Sequence, residues 1–559
     1  MNTGGVAGKE ALLSNIDAAI SLAEQIKSTY GPNGRDKLIC SKDGNITITN
    51  DGATLLKLLE PKHPISQLLV KLSRTQDDEI GDGTTGVVLL AAALLKEARD
   101  LINLGYHVQT IIQGYKKALN LAIKHLDEIK QPLPDDENLR NHILNKIIQV
   151  PLNSKLLSHD REFFTKIIVQ AVNKLKHSDQ DCIQILPIQG GSFSDSYLID
   201  GIVFKRTFSY AGFEQQQKRI KNAKILLLNH EIELKHQKEF AHLNISGPSQ
   251  YKSFVDAEWN LVTRKLDQIY ATNCDLVLNV QPIGDLATQH FVQNNITNLS
   301  RIPLQLMTTI KQTVGGTIYS TLEHLNEKKC HLGFCSLFQN VTIGDDRYCI
   351  LSGCDDSSKM TLILRGPSEE LLSEAHRSVH DAICIMSTVM SNPFYIIGGG
   401  ATEMSVNSRI NHYVNNQDVT SERSHSVHSC MKAFGRALQH IVITLCENAG
   451  MNIAEVFGEL ESIHQDHNQN WFYGVDVLNG CAGDLKQNSV YEPVNVKKNA
   501  LMCACEAACL ILSIDYVVKM PQEETEKEKG ARVAKQYQEQ KIAQNKWKRE
   551  VMSQRKELA

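Results

Sequence analysis

The sequence lacks several features that would assign it at once to a common class of protein. It contains no Gly-x-x-x-x-Gly-Lys-Ser/Thr motif, so it is not a P-loop nucleotide hydrolase. Its longest apolar run, Val87 to Leu95, is much shorter than the roughly 20 residues that cross a bilayer. The first residues, MNTGGVAGKEALL, show no charged leader followed by an apolar run, so we predict no secretory signal.

The charge balance and the cysteine usage argue against further classes. The formal net charge is -4, whereas a nucleic-acid-binding protein usually carries a basic excess. The 14 cysteines are dispersed and form no Cys-x-x-Cys pair, which argues against a disulfide scaffold or a zinc site with paired ligands. We therefore expect free, mostly buried thiols, as in a protein of the reducing cytosol.

The length and the hydrophobic pattern predict several domains. At 559 residues the chain is too long for one hydrophobic core, and we expect about three domains. The middle alternates short apolar runs, such as Ile225–Leu228 and Leu276–Val280, with helical patterns, such as Phe254–Leu266, which is typical of α/β structure. Helical patterns dominate the first third and continue from Leu371 to about Val518. The two ends are therefore predicted to build one domain, and the middle to build others.

Local signals near the start of the chain predict a helix followed by strands. Residues 14–29 show an amphipathic helical pattern that Ser14 can cap. The helix is predicted to stop at the turn Gly31-Pro32-Asn33-Gly34. Two short strands are expected around Lys37–Cys40 and Asn45–Thr49.

Two polar segments are predicted to lie outside the packed body. Glu231–Gly247 has little apolar periodicity and is interpreted as a protruding segment. The residues from Gln522 to Ala559 are dominated by Glu, Lys, Gln and Arg, which is typical of a solvated extension.

The block Gly81–Thr85 carries the strongest chemical signal. It leads directly into Val87–Leu95, which is apolar nearly all round and is predicted to be a buried helix. Backbone N–H groups and the dipole at such a helix start favour a phosphate group, and the hydroxyls of Thr84 and Thr85 add donors. Asp82 supplies a hard oxygen ligand suited to Mg²⁺ that bridges to phosphate. A plain helix cap without a ligand is the alternative interpretation of the same block.

Three other segments are weaker signals when taken alone. Asn50-Asp51-Gly52-Ala53-Thr54 is a turn of the kind that joins a strand to a helix. Gly398-Gly399-Gly400-Ala401 precedes a helical pattern and permits a ligand to approach the backbone closely. Asp381 lies in the middle of a predicted helix, where an acid is usually a surface residue. If Asp51, Asp82 and Asp381 converge, however, their carboxylates would bind metal and orient water around a phosphate.

In order along the chain, five motifs resemble the signatures of the group II chaperonins, and the resemblance covers about residues 8–520. The motifs are Thr29–Lys37, Asn50–Thr54, Gly81–Thr85, Arg377–Ala382 and Gly398–Ala401. Four further stretches resemble the eta branch of that family, namely Phe204–Glu214, Val255–Asn260, Pro282–Gln289 and Trp471–Asp476.

The resemblance implies a multidomain fold of α and α/β parts, the chaperonin fold. It comprises a helical equatorial ATPase domain, a small intermediate hinge domain and an α/β apical substrate-binding domain with a lid protrusion. The implied boundaries are 1–150 and 400–520 for the equatorial domain, 151–215 and 365–399 for the intermediate domain, 216–364 for the apical domain and 521–559 for a charged tail.

The resemblance also implies roles for individual residues. Asp82 would hold Mg²⁺, while Asp51 and Asp381 would be catalytic and would position the attacking water. Asp476 and Glu492 would reach the adenosine. The implied nucleotide-binding residues are Thr29, Gly31, Pro32, Gly52, Gly83, Thr84, Thr85, Lys155, Gly399, Gly400, Asp476 and Glu492.

Three features depart from the pattern of the family. The first residues show no extended strand, and the charged tail is longer than is usual in the family. Lys155 matches a lysine that senses the nucleotide, but Pro151 stands nearby where small hydroxyl residues are common.

The function implied by the resemblance is ATP hydrolysis by one subunit of a hetero-oligomeric double ring in the cytoplasm. ATP and Mg²⁺ are the implied cofactors, and their binding and turnover would close the lid over unfolded client proteins such as cytoskeletal proteins. The implied partners are paralogous subunits and clients, with no nucleic acid and no membrane. One alternative is a ring subunit with a mainly substrate-binding or structural role and weak hydrolysis. Another is a binding protein outside any ring, which the native mass would distinguish.

Overall fold

The computed structural model describes residues 8–40, 44, 46–153, 157, 159–174, 182–208, 214–233, 247–322, 325, 330–354, 359–417, 422–465 and 470–516. The chain divides into two units, residues 1–15 with 514–559 and residues 16–513. In the first unit the backbone N–H of Gly8 donates to the carbonyl of Asp515 at 3.1 Å. The sheets and the cavity described below lie within the second unit.

Fifteen α-helices lie in the described part of the chain. Local sequence sets several of their starts, since the side chains of Asp136 and Ser368 accept backbone N–H groups of the helices that they precede. The helices are α1 (Gly8–Ile26), α2 (Gly52–Leu59), α3 (Pro64–Ile80), α4 (Thr84–Asn103), α5 (Val108–Ile129), α6 (Glu137–Gln149), α7 (Arg161–Lys174), α8 (Pro248–Tyr270), α9 (Asp285–Gln293), α10 (Leu304–Val314), α11 (Glu369–Ser391), α12 (Ala401–Asn415), α13 (Glu422–Ala449), α14 (Ile453–Ile463) and α15 (Val494–Leu512).

Seventeen strands form five sheets among the described residues. The strands are β1 (Lys37–Cys40), β2 (Ile46–Thr49), β3 (Gln131–Pro132), β4 (Ile183–Gln189), β5 (Tyr197–Ile199), β6 (Gly201–Lys205), β7 (Arg219–Leu228), β8 (Leu276–Asn279), β9 (Thr297–Leu299), β10 (Ile318–Tyr319), β11 (Gly333–Ile343), β12 (Asp346–Ser352), β13 (Met360–Gly366), β14 (Phe394–Ile397), β15 (Tyr473–Asp476), β16 (Cys481–Asp484) and β17 (Tyr491–Pro493).

The middle of the chain builds a seven-stranded mixed sheet in the order β6-β12-β11-β7-β8-β9, with β10 paired to β7. Strand β7 pairs in parallel with β8 and β10, and β8 pairs in parallel with β9. Strand β11 pairs antiparallel with both β7 and β12. Side chains alternate across β7, because Ile225 and Leu227 enter one core while Leu226 and Leu228 enter another. Helix α10 packs in the first core, and α8 and α9 pack in the second. Both faces of β7 are therefore covered, as its continuous apolar run requires.

A second sheet, β4-β13-β5, packs against helices from two distant parts of the chain. Strand β13 is parallel to β4 and antiparallel to β5. Its residues Met360, Leu362 and Leu364 share one apolar core with α6, α7 and α11. The buried face of the long helix α11 thus packs against this sheet.

The two ends of the chain meet around helix α4. Its segment Val87–Leu95 is buried on every side and contacts α3, α13 and α15. A small sheet, β17-β14-β3, joins three distant segments by antiparallel pairing. This helical core together with the mixed sheets confirms the predicted α and α/β fold class, whereas the domain boundaries stay a prediction.

Several local predictions are confirmed and others are wrong. Strand β1 has the predicted bounds, Val87–Leu95 is a buried helix, and the cysteines are free and mostly buried. Helix α1 begins at Gly8 rather than at Ser14, because the preceding Glu10–Leu13 are also good helix formers, and residues 27–29 form a 3₁₀ turn instead. The stretch from Leu371 to about Val518 is not all helical, since it contains β14 to β17. Strands of three or four residues leave too little periodicity to be detected.

Two predicted segments lie largely or wholly outside the described residues. These are the protruding segment Glu231–Gly247, of which 234–246 are not described, and the charged tail from Gln522. Among the helices that the structure does describe, none is long and apolar enough to cross a membrane.

Candidate functional site

A cavity of about 740 Å³ lies where the helices α2, α4 and α12 begin. Sites for small molecules typically measure about 300–1,000 Å³, so this cavity can enclose a ligand of nucleotide size. The unpaired backbone N–H groups at a helix start carry a partial positive charge. The starts of α4 and α12, which no described side chain caps, therefore favour an anionic group there.

The cavity gathers nearly all of the residues that the sequence motifs selected. Fourteen of the fifteen predicted residues line it, and Lys155 lies outside the described residues. The fourteen are Thr29, Gly31, Pro32, Asp51, Gly52, Asp82, Gly83, Thr84, Thr85, Asp381, Gly399, Gly400, Asp476 and Glu492.

The segment after α1 is held in place at the cavity by a distant asparagine. The side-chain amide of Asn448, at the end of α13, donates to the Tyr30 carbonyl at 2.7 Å and to the Lys27 carbonyl at 2.9 Å. Gly31 follows with φ 88°, a left-handed conformation that glycine adopts without strain. These contacts fix the turn that carries Gly31 and Pro32 into the cavity wall.

Asp51 ties two of the helix starts together. Its Oδ1 accepts the backbone N–H of Ala53 at 3.1 Å, and its Oδ2 accepts that of Thr54 at 2.9 Å, so Asp51 caps α2. The hydroxyl of Thr84, the first residue of α4, donates to Asp51 Oδ1 at 3.2 Å. A Cβ atom at Gly52 would collide with Thr85, so glycine is needed for α2 and α4 to approach this closely.

Asp82 lies in the short loop between α3 and α4. Gln76 in α3 donates its side-chain amide to the Asp82 carbonyl at 2.9 Å, and Gly83 N–H donates to Asp82 Oδ1 at 2.6 Å. Burial raises the pKa of Asp82 to about 6, although the hydrogen bond from Gly83 opposes the shift. The carboxylate is therefore held at the start of α4 and is mostly ionised at neutral pH.

Asp381 reaches the cavity from the long helix α11. That helix contacts β2 and α3, and Arg377 Nη2 donates to the Ile48 carbonyl at 3.3 Å. Burial raises the pKa of Asp381 well above its ordinary value, and the nearby carboxylates of Asp51 and Asp82 raise it further. The structure thus brings the three acids together from three separate segments of the chain.

The protein alone does not provide a complete metal site in the described part of the chain. No group of three or more His, Cys, Asp or Glu side chains there could hold a metal ion. Mg²⁺ is usually bound by one or two carboxylates together with phosphate oxygens of a substrate, rather than by an all-protein cage. Asp82, beside a phosphate-favouring helix start, provides such a partial ligand set, and a cation would offset the repulsion among the acids. The donor set therefore fits Mg²⁺ that shares its coordination with phosphate.

Asp476 uses its carboxylate to shape its own loop. Oδ1 accepts the backbone N–H groups of Leu478 and Asn479, and Oδ2 accepts side-chain amides of Asn479 and Asn488, each at 2.7 Å. Burial alone would raise the pKa of Asp476, but these hydrogen bonds outweigh it and lower the pKa. The contact of Asp476 with an adenosine stays a prediction.

The motifs missed several charged residues that line the same cavity, and Lys497 and Glu403 are two of them. Lys497 Nζ lies 2.7 Å from Glu403 Oε1 and 3.2 Å from Glu492 Oε2. The only sequence feature that could have indicated Lys497 is its place in the first turn of the largely apolar helix α15, five residues after Glu492. A lysine at such a position is more often solvated, so its local sequence does not mark it as a site residue.

Comparison with known proteins gives one consistent result. Residues 22–522 match the TCP-1/cpn60 chaperonin family. The chain is 40% identical to T-complex protein 1 subunit eta of Arabidopsis thaliana, over 93% of this chain and 92% of the relative. It is 40% identical to the same subunit of Saccharomyces cerevisiae, over 91% and 92%, and 39% identical to that of Homo sapiens, over 92% and 93%. The chain therefore belongs to the TCP-1/cpn60 chaperonin family.

Proposed function

We propose that this chain is an ATP-hydrolysing subunit of a cytoplasmic, hetero-oligomeric double-ring chaperonin that encloses and folds client proteins. Its similarity to T-complex protein 1 subunit eta over more than nine tenths of its length supports assembly with paralogous subunits. The observation that carries the enzymatic part is the convergence of Asp51, Asp82 and Asp381 at a cavity with three helix starts.

Each of these groups has a distinct task in the proposed site. The N–H groups at the start of α4 and the hydroxyls of Thr84 and Thr85 bind phosphate oxygens. Asp82 holds Mg²⁺, which when bound neutralises charge on the phosphates and polarises them. Asp51 and Asp381 accept hydrogen bonds from the attacking water and orient it. Client enclosure by a lid belongs to the same proposal, and the segment expected to form it lies largely outside the described residues.

The native mass of the protein tests whether this chain assembles into a ring. The protein purified from its source under native conditions should elute with other chains as a particle many times the mass of one subunit. Recovery of the chain only as a monomer would contradict assembly. If ATP occupies the cavity in such a ring but is never turned over there, the chain would instead be a mainly structural subunit.

Asp82→Ala should weaken Mg²⁺-dependent nucleotide binding at this subunit, because it removes the carboxylate that shares the metal with the phosphates. The measurement is nucleotide occupancy at this subunit in a density map of the mutant ring. Asp78→Ala is the matched control, since Asp78 is exposed on α3 and does not line the cavity. Full occupancy in Asp82→Ala would remove Asp82 from the binding site.

A further inference from the structure

Arg377 connects the helix that carries Asp381 to the strand that precedes Asp51. Its Nη2 donates to the carbonyl of Ile48 in β2 at 3.3 Å. Arg377 lies about one helical turn before Asp381 on α11, so the two side chains project from the same side of the helix, and both residues line the cavity. The contact therefore joins the two segments that supply the proposed catalytic acids.

Glu374 sets the direction of the Arg377 guanidinium group. Glu374 Oε2 accepts hydrogen bonds from Arg377 Nε at 3.1 Å and from Arg377 Nη2 at 2.6 Å. The side chains of Arg377 and Glu374 are 21% and 12% exposed, so bulk water competes little for these hydrogen bonds. Because a guanidinium group is planar and rigid, these two bonds also fix the direction in which Nη2 reaches the Ile48 carbonyl.

The strand that receives this contact is held by little apolar burial. Among the described strands, β2 pairs with β1 alone. The side chains of Leu38, Ile46 and Ile48 in this hairpin are 61%, 52% and 37% exposed. An isolated two-stranded hairpin is only marginally stable, so contacts with neighbouring elements determine where it lies. The hydrogen bond from Arg377 on α11 is one of those contacts.

Hydrogen bonds continue from β2 to the start of α4. Thr49, the residue after Ile48, is buried, and its Oγ1 accepts the backbone N–H of Asp51 at 3.1 Å. Asp51 Oδ1 in turn accepts the hydroxyl of Thr84 at 3.2 Å. A continuous path of backbone and hydrogen bonds therefore runs from Arg377 on α11 to Asp51 and on to the helix start that favours phosphate.

Arg377 is poorly placed to bind the phosphates itself. Its guanidinium group is engaged by the Glu374 carboxylate and the Ile48 carbonyl. The nearby carboxylate offsets the positive charge of Arg377 and would repel a phosphate that approached it. The contacts therefore favour a role in the placement of α11 over a direct contact with nucleotide.

We propose that Arg377, oriented by Glu374, is a positioning residue that holds α11 against β2, so that Asp381 lies beside Asp51 when the nucleotide is hydrolysed. The inference rests on the proposed function, since it assigns a task within the same site. Arg377 acts through the two acids, and its loss should therefore slow hydrolysis and spare nucleotide binding.

Arg377→Lys tests this role in the assembled ring with ATP and Mg²⁺ present. Lysine retains the positive charge, but one ammonium nitrogen on a flexible stem cannot reproduce the fixed fork of the guanidinium group. ADP should appear in the cavity of this subunit about ten- to a hundredfold more slowly, since a displacement of about 1 Å at a reacting group can cost about 10²-fold in rate. The total occupancy of the cavity by ATP and ADP should not change. Both quantities are read from density maps recorded at increasing incubation times.

Two further variants keep the result interpretable. Glu374→Gln preserves shape but weakens the hydrogen bonds that orient Arg377, and it should show the same slowing without loss of occupancy if Arg377→Lys fails to assemble. Arg99→Lys is the matched control, because Arg99 on α4 pairs with Asp17 at 3.0 Å and does not line the cavity. It should change neither ADP formation nor occupancy.

Loss of nucleotide occupancy in parallel with ADP formation, in Arg377→Lys and Glu374→Gln, would overturn the positioning role. Unchanged ADP formation in both variants would overturn it as well, and turnover in the unmodified subunit would then show that the proposed function stands without it. If the unmodified subunit accumulates no ADP, the proposed function fails and this inference fails with it.

Discussion

Asp381→Asn should slow ATP hydrolysis at this subunit by about 10²–10⁴-fold, the usual contribution of a positioned general base, while ATP still binds. Asp381 lies on α11, outside the loops at the starts of α2 and α4 that would hold the phosphates. Burial and the carboxylates of Asp51 and Asp82 raise its pKa, so its protonation state depends on its position beside these acids. An amide has nearly the same shape but cannot accept a proton, so it removes the chemical step and keeps the site intact.

The measurement must resolve this one site, because other subunits of a mixed ring would mask part of the loss. After long incubation of the mutant ring with ATP, the cavity should contain ATP, whereas the unmodified subunit should contain ADP. Glu370→Gln is the control, since Glu370 is an exposed acid on the same helix and should leave turnover unchanged. ADP in the Asp381→Asn cavity would exclude a catalytic role.

Much of the candidate site could be predicted because its chemistry is encoded in short local motifs. Glycines next to Asp51 and Asp82 mark helix starts that local sequence largely determines, and the structure places α2 and α4 directly after them. The convergence of Asp381 with these acids could not be derived from periodicity. It depends on α11 contacting β2 and α3, which are about 300 residues away in sequence, and it was anticipated only through the family resemblance.

Strand β14 and the contacts of Lys497 were not predicted for the same physical reason, which is pairing over long sequence distances. Strand β14 is only four residues long, and it exists because β3 and β17 pair with it. Lys497 is likewise an ordinary charged residue until α12 brings Glu403 within 2.7 Å. Local propensity carries no information about distant pairing partners. The sequence pattern therefore predicts neither strand β14 nor the contact of Lys497 with Glu403.

Lys497→Met should lower the free energy of unfolding by about 3–5 kcal/mol, because it leaves two buried carboxylates without their common counter-ion. The long apolar side chain of methionine fills a similar volume, so the loss reports charge rather than a cavity. Lys498→Met is the matched control on the same helix. Its ion pair with Asp127 is partly exposed, so its removal should cost only about 0–1 kcal/mol.

The decisive comparison adds Glu403→Gln and Glu492→Gln to Lys497→Met and follows thermal unfolding of the full-length chains. Neutral amides remove the repulsion and the buried net charge, so the triple variant should recover most of the lost stability. A triple variant as unstable as Lys497→Met alone would show that Lys497 stabilises the chain through packing of its stem.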